Sequence, residues 1–255
     1  MNLLDRLKAA FCGDAAASAL RPLANDFNLT TLADTYRSDK GSIAQHPHNY
    51  TLLYDMILGP RRAAIRNMVE IGLLVGGPEV GRDADRATGD LPSVKMWLDY
   101  FPQATVHGFD ISDFSFFSHP RFRFVRGDSG VAADLEKLVA DGQGYDFIID
   151  DGSHASFHQQ LAFQTLFPHL APGGIYIIED LHWQSPAYED RLPSTITTTA
   201  LIDHWFQAGT FPEMQCPELA SLPALAEHIN FAFLVNQPFT NHHRIVKVAV
   251  IQKKF

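Results

Sequence analysis

The sequence has little cysteine, no long run of basic residues and no long apolar run. Its two cysteines, Cys12 and Cys216, lie far apart, so neither a disulfide framework nor a zinc cluster is indicated, and a reducing, cytoplasmic setting is expected. The net charge is −9 and no more than two basic residues are ever adjacent, which argues against a large nucleic-acid-binding surface. No stretch approaches the ~20 consecutive apolar residues of a membrane-spanning helix.

The length and the first residues predict how the chain is divided. One domain can account for most of the 255 residues, since domains commonly have roughly 100–200 residues. Near the N-terminus, apolar residues recur at helical spacing, but Asp5, Arg6 and Lys8 interrupt them before a signal-peptide core forms. We therefore predict a helical extension over residues 1–31, packed on the body or on another subunit of a homo-oligomer, and one domain over residues 32–255.

Strand and helix patterns alternate through the middle of the chain, which is typical of a doubly wound α/β sheet with parallel strands. The predicted strands cover residues 67–72, 105–110, 123–128, 145–150 and 175–178, and the predicted helices cover 93–101, 131–141 and 154–170. Further helices are predicted near 199–208 and 222–228, followed by an antiparallel edge pair of strands at 229–235 and 244–252. Proline and threonine between residues 181 and 200 predict a lid-like loop.

Acidic residues stand at the ends of five successive predicted strands: Glu70, Asp110, Asp128, Asp150-Asp151 and Glu179-Asp180. Because ligands bind outside the carboxyl ends of the strands in an open α/β sheet, we expect these acids at one rim. Clustered carboxylates repel each other unless a cation or a proton intervenes, which predicts a divalent metal site with His154 beside it as a base. Successive side chains on a strand point to opposite faces, so only one of Asp150 and Asp151 need face the metal.

A glycine-rich turn follows the first predicted strand. Gly72 and Gly76-Gly77 would let the backbone approach a ligand closely, although a turn that serves packing alone is the alternative. The spacing is not that of dinucleotide binders, and the next strand-end acid, Asp110, comes later than the ~20 residues typical of them, which disfavours nicotinamide binding. Asp110 is placed to accept both hydroxyls of a ribose, and Asp128 ends the strand nearest to an adenine.

Motifs between residues 32 and 180 carry a resemblance to a known family. They are Tyr36-x-Ser38-Asp39-Lys40-Gly41, His48-x-Tyr50, Tyr54, Glu70-Ile71-Gly72, Ser93-x-Lys95-Met96-Trp97-x-x-Tyr100-Phe101-Pro102, Gly108-x-Asp110, Gly127-Asp128, Ile149-Asp150-Asp151-Gly152-Ser153-His154, and Phe167-Pro168 to Ile178-Glu179-Asp180-Leu181. Together they resemble class I S-adenosylmethionine-dependent methyltransferases. Within that class the chain is similar to the metal-dependent sugar O-methyltransferases of macrolide antibiotic biosynthesis.

The resemblance implies a Rossmann-like fold, S-adenosylmethionine and Mg²⁺ or another divalent cation as cofactors, and a small hydroxyl-bearing acceptor such as a sugar or polyol. It implies that His154 and Asp151 are catalytic and that the metal is held by Asp151, Glu179 and Asp180. The implied cofactor-binding residues are Ser38, Lys40, Tyr50, Glu70, Gly72, Asp110, Asp128 and Asp150. The chemistry agrees, since Mg²⁺ prefers hard oxygen ligands and a sugar hydroxyl becomes a useful nucleophile only when it loses its proton.

Two alternatives stay open beside this interpretation: a methyltransferase of a carboxylate, catechol or amine acceptor, and a cofactor-binding protein without catalysis. Residues 182–186, where acceptor contacts are expected, depart from the family's usual continuation. Four aromatic residues either stack on an acceptor or belong to the core: Trp183, Tyr188, Trp205 and Phe206.

Overall fold

The computed structural model describes residues 28–44, 47–188, 191–238 and 244–255. Within these ranges the strands are β1 Asn67–Ile71, β2 Thr105–Asp110, β3 Phe122–Arg126, β4 Tyr145–Asp150, β5 Leu170–Ile178, β6 Ile229–Pro238 and β7 Arg244–Lys253. The α-helices are α1 Leu29–Tyr36, α2 Thr51–Leu58, α3 Pro92–Tyr100, α4 Ala132–Leu135, α5 Ser156–Leu166 and α6 Thr198–Ala208. Short 3-10 helices cover Gly59–Arg61, Pro78–Val80, Glu136–Leu138, Phe167–His169, Pro217–Leu219 and Leu222–His228.

The strands form one mixed sheet in the order β3-β2-β1-β4-β5-β7-β6. The strands β1 to β5 run parallel, and β7 pairs antiparallel with both β5 and β6. The predicted α/β sheet and its antiparallel edge pair are therefore confirmed. The strand order reverses between β1 and β4, and ligands bind at such a reversal in open α/β sheets.

Helices cover both faces of the sheet, and the side chains of each strand alternate between the two layers. On β4, Phe147 and Ile149 pack into the layer that includes α1, α2 and α3. Ile148, between them, packs into the layer that includes α5 and α6. This two-residue period sends the acids at the strand ends to different faces, so that Asp150 and Asp151 have different surroundings.

Several predicted boundaries differ from the observed ones for local reasons. The helix predicted from residue 154 starts at Ser156, because His154 has a left-handed backbone with φ of 61° and Ala155 is extended. The segment 222–228 is a 3-10 helix rather than an α-helix, with a proline in its first turn. Strand β5 starts at Leu170, earlier than predicted, through an irregular pairing with β4.

Most of the predicted helical extension, residues 1–31, lies outside the described residues. The predicted boundary between residues 31 and 32 falls inside α1, which is joined to α2 by a hydrogen bond between the hydroxyls of Thr30 and Thr51 at 2.8 Å. In the part of the chain that the structure describes, none of the helices has the length and apolar character needed to cross a membrane.

Candidate active site

A cavity of about 480 Å³ opens at the carboxyl ends of the parallel strands. Its size is within the ~300–1,000 Å³ of small-molecule sites. Seven residues predicted from the sequence line it: Ser38, Gly72, Asp110, Asp128, Asp151, His154 and Asp180. The other five predicted site residues are buried and do not line it: Lys40, Tyr50, Glu70, Asp150 and Glu179.

Gly72 brings the ends of β1 and β4 close together at the base of this cavity. Its φ is +78°, and a Cβ at this position would lie 2.0 Å from the carbonyl oxygen of Asp151. Backbone hydrogen bonds join Gly72 N to Phe109 O at 2.9 Å and Asp151 N to Ile71 O at 2.8 Å. The close approach that Gly72 makes here is to the residues that follow β4, which agrees with the packing alternative; its approach to a ligand stays a prediction.

Asp110 ends β2 at the wall of the cavity and is already paired. Its carboxylate accepts hydrogen bonds from the backbone N–H groups of Leu73 and Ser112, both at 2.8 Å, and from the guanidinium of Arg86. Burial raises the pKa of Asp110, and Arg86 counteracts this rise. The carboxylate of Asp110 thus borders the cavity with Arg86 beside it, and its contact with a ribose stays a prediction.

Asp128 lies on the same wall, next to an aromatic pair. Its Oδ1 atom accepts a hydrogen bond from Gly130 N at 2.8 Å. The Tyr188 ring, which also lines the cavity, meets the His158 ring edge-on at 4.8 Å between centroids. Burial lowers the pKa of His158 to about 4, so this histidine is neutral near pH 7. Tyr188 therefore offers an uncharged aromatic surface to the cavity near Asp128.

Three candidate metal ligands lie together in the lining of the cavity, in a part that we call the acidic wall. One ligand atom from each of Asp151, His154 and Asp180 lies within 4.8 Å of the other two. Burial would raise the pKa of Asp180, but the nearby His48 and His154 hold it below its usual value. Two carboxylates that border an open cavity fit a hard divalent cation, which keeps several water ligands.

His154 and Asp180 both have left-handed backbones, with φ of 61° and 50°. Such conformations are uncommon for residues other than glycine, and they cluster at functional sites. The Nε2 atom of His154 lies 4.0 Å from Asp180 Oδ2, and its Nδ1 atom is buried without a hydrogen-bond partner among the described residues. The edge of the Trp183 ring packs against the imidazole at 5.5 Å between centroids. The imidazole of His154 thus lies between Asp180 and the Trp183 ring.

Glu179 lies directly behind this wall and is fully buried. Its carboxylate accepts hydrogen bonds from Tyr54 at 2.7 Å and from the ammonium of Lys40 at 3.1 Å. The same ammonium donates to Asp151. Burial and the charge of Asp151 raise the pKa of Glu179, whereas Lys40 lowers it. Lys40 therefore contacts two of the three predicted metal ligands, and its contact with the cofactor stays a prediction.

Burial likewise separates the other predicted site acids from the cavity. Glu70 accepts hydrogen bonds from Ser93 and Trp97 of α3, both at 3.0 Å, and burial raises its pKa to about 7. Burial also raises the pKa of Asp150 to about 7, and its Oδ2 atom has no hydrogen-bond partner within the described ranges. Tyr50, predicted to bind the cofactor, donates its hydroxyl hydrogen to Asp180.

Two basic residues at the site were missed by sequence analysis. Lys247 of β7 donates to Asp180 at 3.1 Å, and Arg86 binds Asp110 from the loop between β1 and α3. The signal for Lys247 is a charge between apolar residues of a strand, with Val246 before it and Val248 after it. Arg86 lies in a polar loop and has no distinguishing signal.

The lid-like segment predicted over residues 181–200 is irregular up to α6 and is attached to α5 at both ends; residues 189 and 190 lie outside the description. Gln184 accepts from Ser156 N at 2.9 Å and donates to His154 O at 3.1 Å. At the other end, Gln160 donates to Ile196 O at 2.6 Å. A further bond, from the Ser185 hydroxyl to Glu79 O, joins this segment to the loop after β1. The two loops therefore cover the cavity together.

The four aromatic residues left open by the sequence divide into two pairs. Trp183 and Tyr188 line the cavity. Trp205 packs against the hydrophobic core below α6, where its indole N–H donates to Ala226 O at 3.3 Å. Phe206, beside it on α6, is exposed. Only the first pair can contact a ligand in the cavity.

The chain has relatives among proteins of known function. No family model matches the chain. It is 35% identical over 230 residues to 8-demethyl-8-alpha-L-rhamnosyl tetracenomycin-C 2'-O-methyltransferase of Streptomyces olivaceus, an alignment covering 86% of the chain and 57% of the relative. It is 36% identical over 157 residues to mycinamicin VI 2''-O-methyltransferase of Micromonospora griseorubida, with coverage of 60% and 36%.

The solved structures give the same result. The MycE methyltransferase of the mycinamycin biosynthetic pathway, in complex with Mg, SAH and mycinamycin VI, superposes with a TM-score of 0.64 at 26% identity. The superposition covers 89% of this chain and 54% of MycE. The chain thus spans only about half the length of its relatives, 57% of the tetracenomycin enzyme and 54% of MycE.

The chain has the fold of class I S-adenosylmethionine-dependent methyltransferases and is similar in sequence to members of that class. Within the class, its relatives are the sugar O-methyltransferases that tailor natural products.

Proposed function

We propose that the protein is a Mg²⁺-dependent S-adenosylmethionine O-methyltransferase that acts on a hydroxyl group of a sugar carried by a natural product. One observation carries the proposal: ligand atoms of Asp151, His154 and Asp180 come together at a cavity that Gly72 and Asp110 also line. The relatives whose names specify sugar O-methylation support the choice of acceptor.

The cofactor half of the cavity suits S-adenosylmethionine. Asp110 offers a carboxylate for ribose hydroxyls, while Tyr188 and Asp128 offer a flat face and an acceptor for an adenine. Ser38 lines the cavity and could bind the amino-acid end. When bound, the cofactor supplies the methyl carbon, to which the acceptor oxygen bonds as the carbon–sulfur bond breaks, leaving S-adenosylhomocysteine.

The acidic wall suits a divalent cation and proton removal. Asp151 and Asp180 would hold the cation with water as further ligands, and Glu179 behind them stays a predicted ligand. A bound divalent cation lowers the pKa of a hydroxyl that it contacts. His154 would take the hydroxyl proton, a contribution of ~10²–10⁴-fold to the rate. The aromatic ring of Trp183 orients this imidazole and would also face the acceptor.

We extend the proposal to the organisation of the chain: a methyltransferase domain over residues 32–255, working as a cytoplasmic homo-oligomer. Leu52 and Met56, one turn apart on α2, are 69% and 71% exposed, which supports a subunit contact. The molar mass in solution, measured by light scattering, tests the oligomer; a monomeric mass contradicts it.

Turnover with a set of acceptors tests the activity. The protein is incubated with S-adenosylmethionine and with a rhamnosylated aglycone, a catechol, a carboxylic acid or an amine, and S-adenosylhomocysteine is measured with Mg²⁺ or with a chelator. We expect product only from the glycoside and only with the cation. Asp151→Asn and His154→Gln should lose activity, whereas Asp203→Asn, on the exposed face of α6, should keep it. Methylation of the carboxylic acid without the cation contradicts the proposal.

A further inference from the structure

Lys40 is a lysine whose whole side chain is buried between two acids. It is 1% exposed, and its Nζ atom donates to Asp151 and to Glu179, the latter at 3.1 Å. Clustered carboxylates repel each other in the absence of a cation. Here the ammonium of Lys40 supplies a positive charge beside the carboxylates that the proposed function assigns to a metal. Lys40 is far from both of these acids in the sequence.

A second ammonium and two phenols complete the pattern. Lys247 donates to Asp180 at 3.1 Å, and the hydroxyl of Tyr50 donates to the same carboxylate. Tyr54 donates to Glu179 at 2.7 Å. Each of the three predicted metal ligands therefore has donors from the protein, and two ammonium groups offset much of the charge of three carboxylates.

This arrangement has opposite effects on folding and on metal affinity. Removing one partner of a buried ion pair is strongly destabilising, because the remaining charge is left uncompensated in a medium of low polarity. A divalent cation bound by Asp151 would share that carboxylate with the ammonium of Lys40, and the two like charges would repel each other. A lysine at this position thus stabilises the folded, metal-free site and weakens the binding of the metal.

We propose that Lys40 is a built-in counter-cation, which forms the carboxylate site before the metal arrives and weakens the binding of that metal. The inference rests on the proposed function, since it takes the acidic wall as the metal site. It makes Lys40 a positioning residue for the ligands. Because Lys40 already holds the carboxylates together, we expect the metal to bind reversibly to a preformed site. The protein should then change little in structure when the metal binds.

The test compares the wild type with Lys40→Met by thermal unfolding and by calorimetric titration with Mg²⁺. In chelator, we expect Lys40→Met to melt roughly 10 °C below the wild type, and saturating Mg²⁺ should raise its melting temperature much more than that of the wild type. The dissociation constant of Lys40→Met for Mg²⁺ should be lower than that of the wild type by a factor of about ten or more. Lys95→Met, which removes a partly exposed lysine paired with Asp90, should behave as the wild type in both measurements.

A double variant, Lys40→Met with Glu179→Gln, keeps the test decisive if the single variant does not fold. Removing both charges should restore folding and raise the melting temperature in chelator well above that of Lys40→Met. Absence of this recovery contradicts the inference. Binding of Mg²⁺ by Lys40→Met that is equal to or weaker than in the wild type also overturns it, while the proposed function stands. No Mg²⁺ binding by any of these proteins overturns both.

Discussion

Replacement of Gly72 by alanine tests how closely the strands that carry the site must approach each other. The added Cβ would lie 2.0 Å from the carbonyl oxygen of Asp151 and 2.7 Å from the Cα of Gly152, and both contacts are with backbone. A rotamer change cannot relieve them, so the ends of β1 and β4 must separate. Gly81 offers a matched control, because its φ of +72° is similar and nothing lies within 4 Å of an added Cβ.

The magnitude follows from two contributions. The left-handed conformation costs a residue with a Cβ roughly 1–2 kcal/mol, and this applies to both variants. In Gly72→Ala the separation also weakens the backbone bonds from Gly72 to Phe109 and from Asp151 to Ile71, at about 1 kcal/mol each. We expect the free energy of unfolding to fall by about 3–4 kcal/mol in Gly72→Ala and by about 1–2 kcal/mol in Gly81→Ala.

Urea denaturation of the two variants and the wild type measures the difference, and titration with S-adenosylhomocysteine shows whether the cavity is affected. Affinity for this ligand should fall in Gly72→Ala and stay at the wild-type level in Gly81→Ala. Losses of stability that agree within about 0.5 kcal/mol would refute the claim that a close approach, rather than backbone conformation alone, requires glycine at position 72.

Three further predictions concern single side chains. His154→Gln should lower the single-turnover rate by ~10²–10⁴-fold without weakening cofactor binding. His228→Gln, which changes an exposed histidine, should alter neither quantity. An unchanged rate in His154→Gln would contradict the role of His154 as the general base. Tyr54→Phe should lower the free energy of unfolding by about 1–3 kcal/mol, since buried Glu179 loses a donor, and urea denaturation measures it. Burial raises the pKa of Glu70 from 4.5 to about 7, so the folded state binds more protons between these values and stability declines as pH rises through them. Denaturation from pH 5 to pH 8 should therefore show Glu70→Gln gaining up to about 3 kcal/mol relative to the wild type, and parallel pH profiles would contradict this.

The fold was predictable because its signals are local. Apolar runs that end in an acid gave the bounds of β2 and β4 as the structure has them, Thr105–Asp110 and Tyr145–Asp150. The acids after the strands were expected at one rim, and Asp110, Asp151 and Asp180 do border one cavity. Parallel strands place their carboxyl ends at the same edge, so a signal at each strand suffices to predict the edge.

The contacts behind that rim were not predictable, because they join distant parts of the chain. Lys40 is 111 residues from Asp151, and Lys247 is 67 residues from Asp180. Whether a strand-end acid faces the cavity or the core depends on strand parity and on the helices that pack there. Glu70, for example, is turned to α3 by its bonds to Ser93 and Trp97. The alternation of side chains along a strand can be read from the sequence, but the helix that packs against each face cannot.

Calorimetric binding of S-adenosylmethionine and S-adenosylhomocysteine, with Mg²⁺ and with chelator, to the wild type and to Asp151→Ala tests the central claim most directly. The account predicts micromolar binding of both cofactor forms by the wild type and a separate Mg²⁺ event that Asp151→Ala loses. Absence of cofactor binding under every condition would contradict the account, because the cavity at the carboxyl ends of the strands would then serve another ligand.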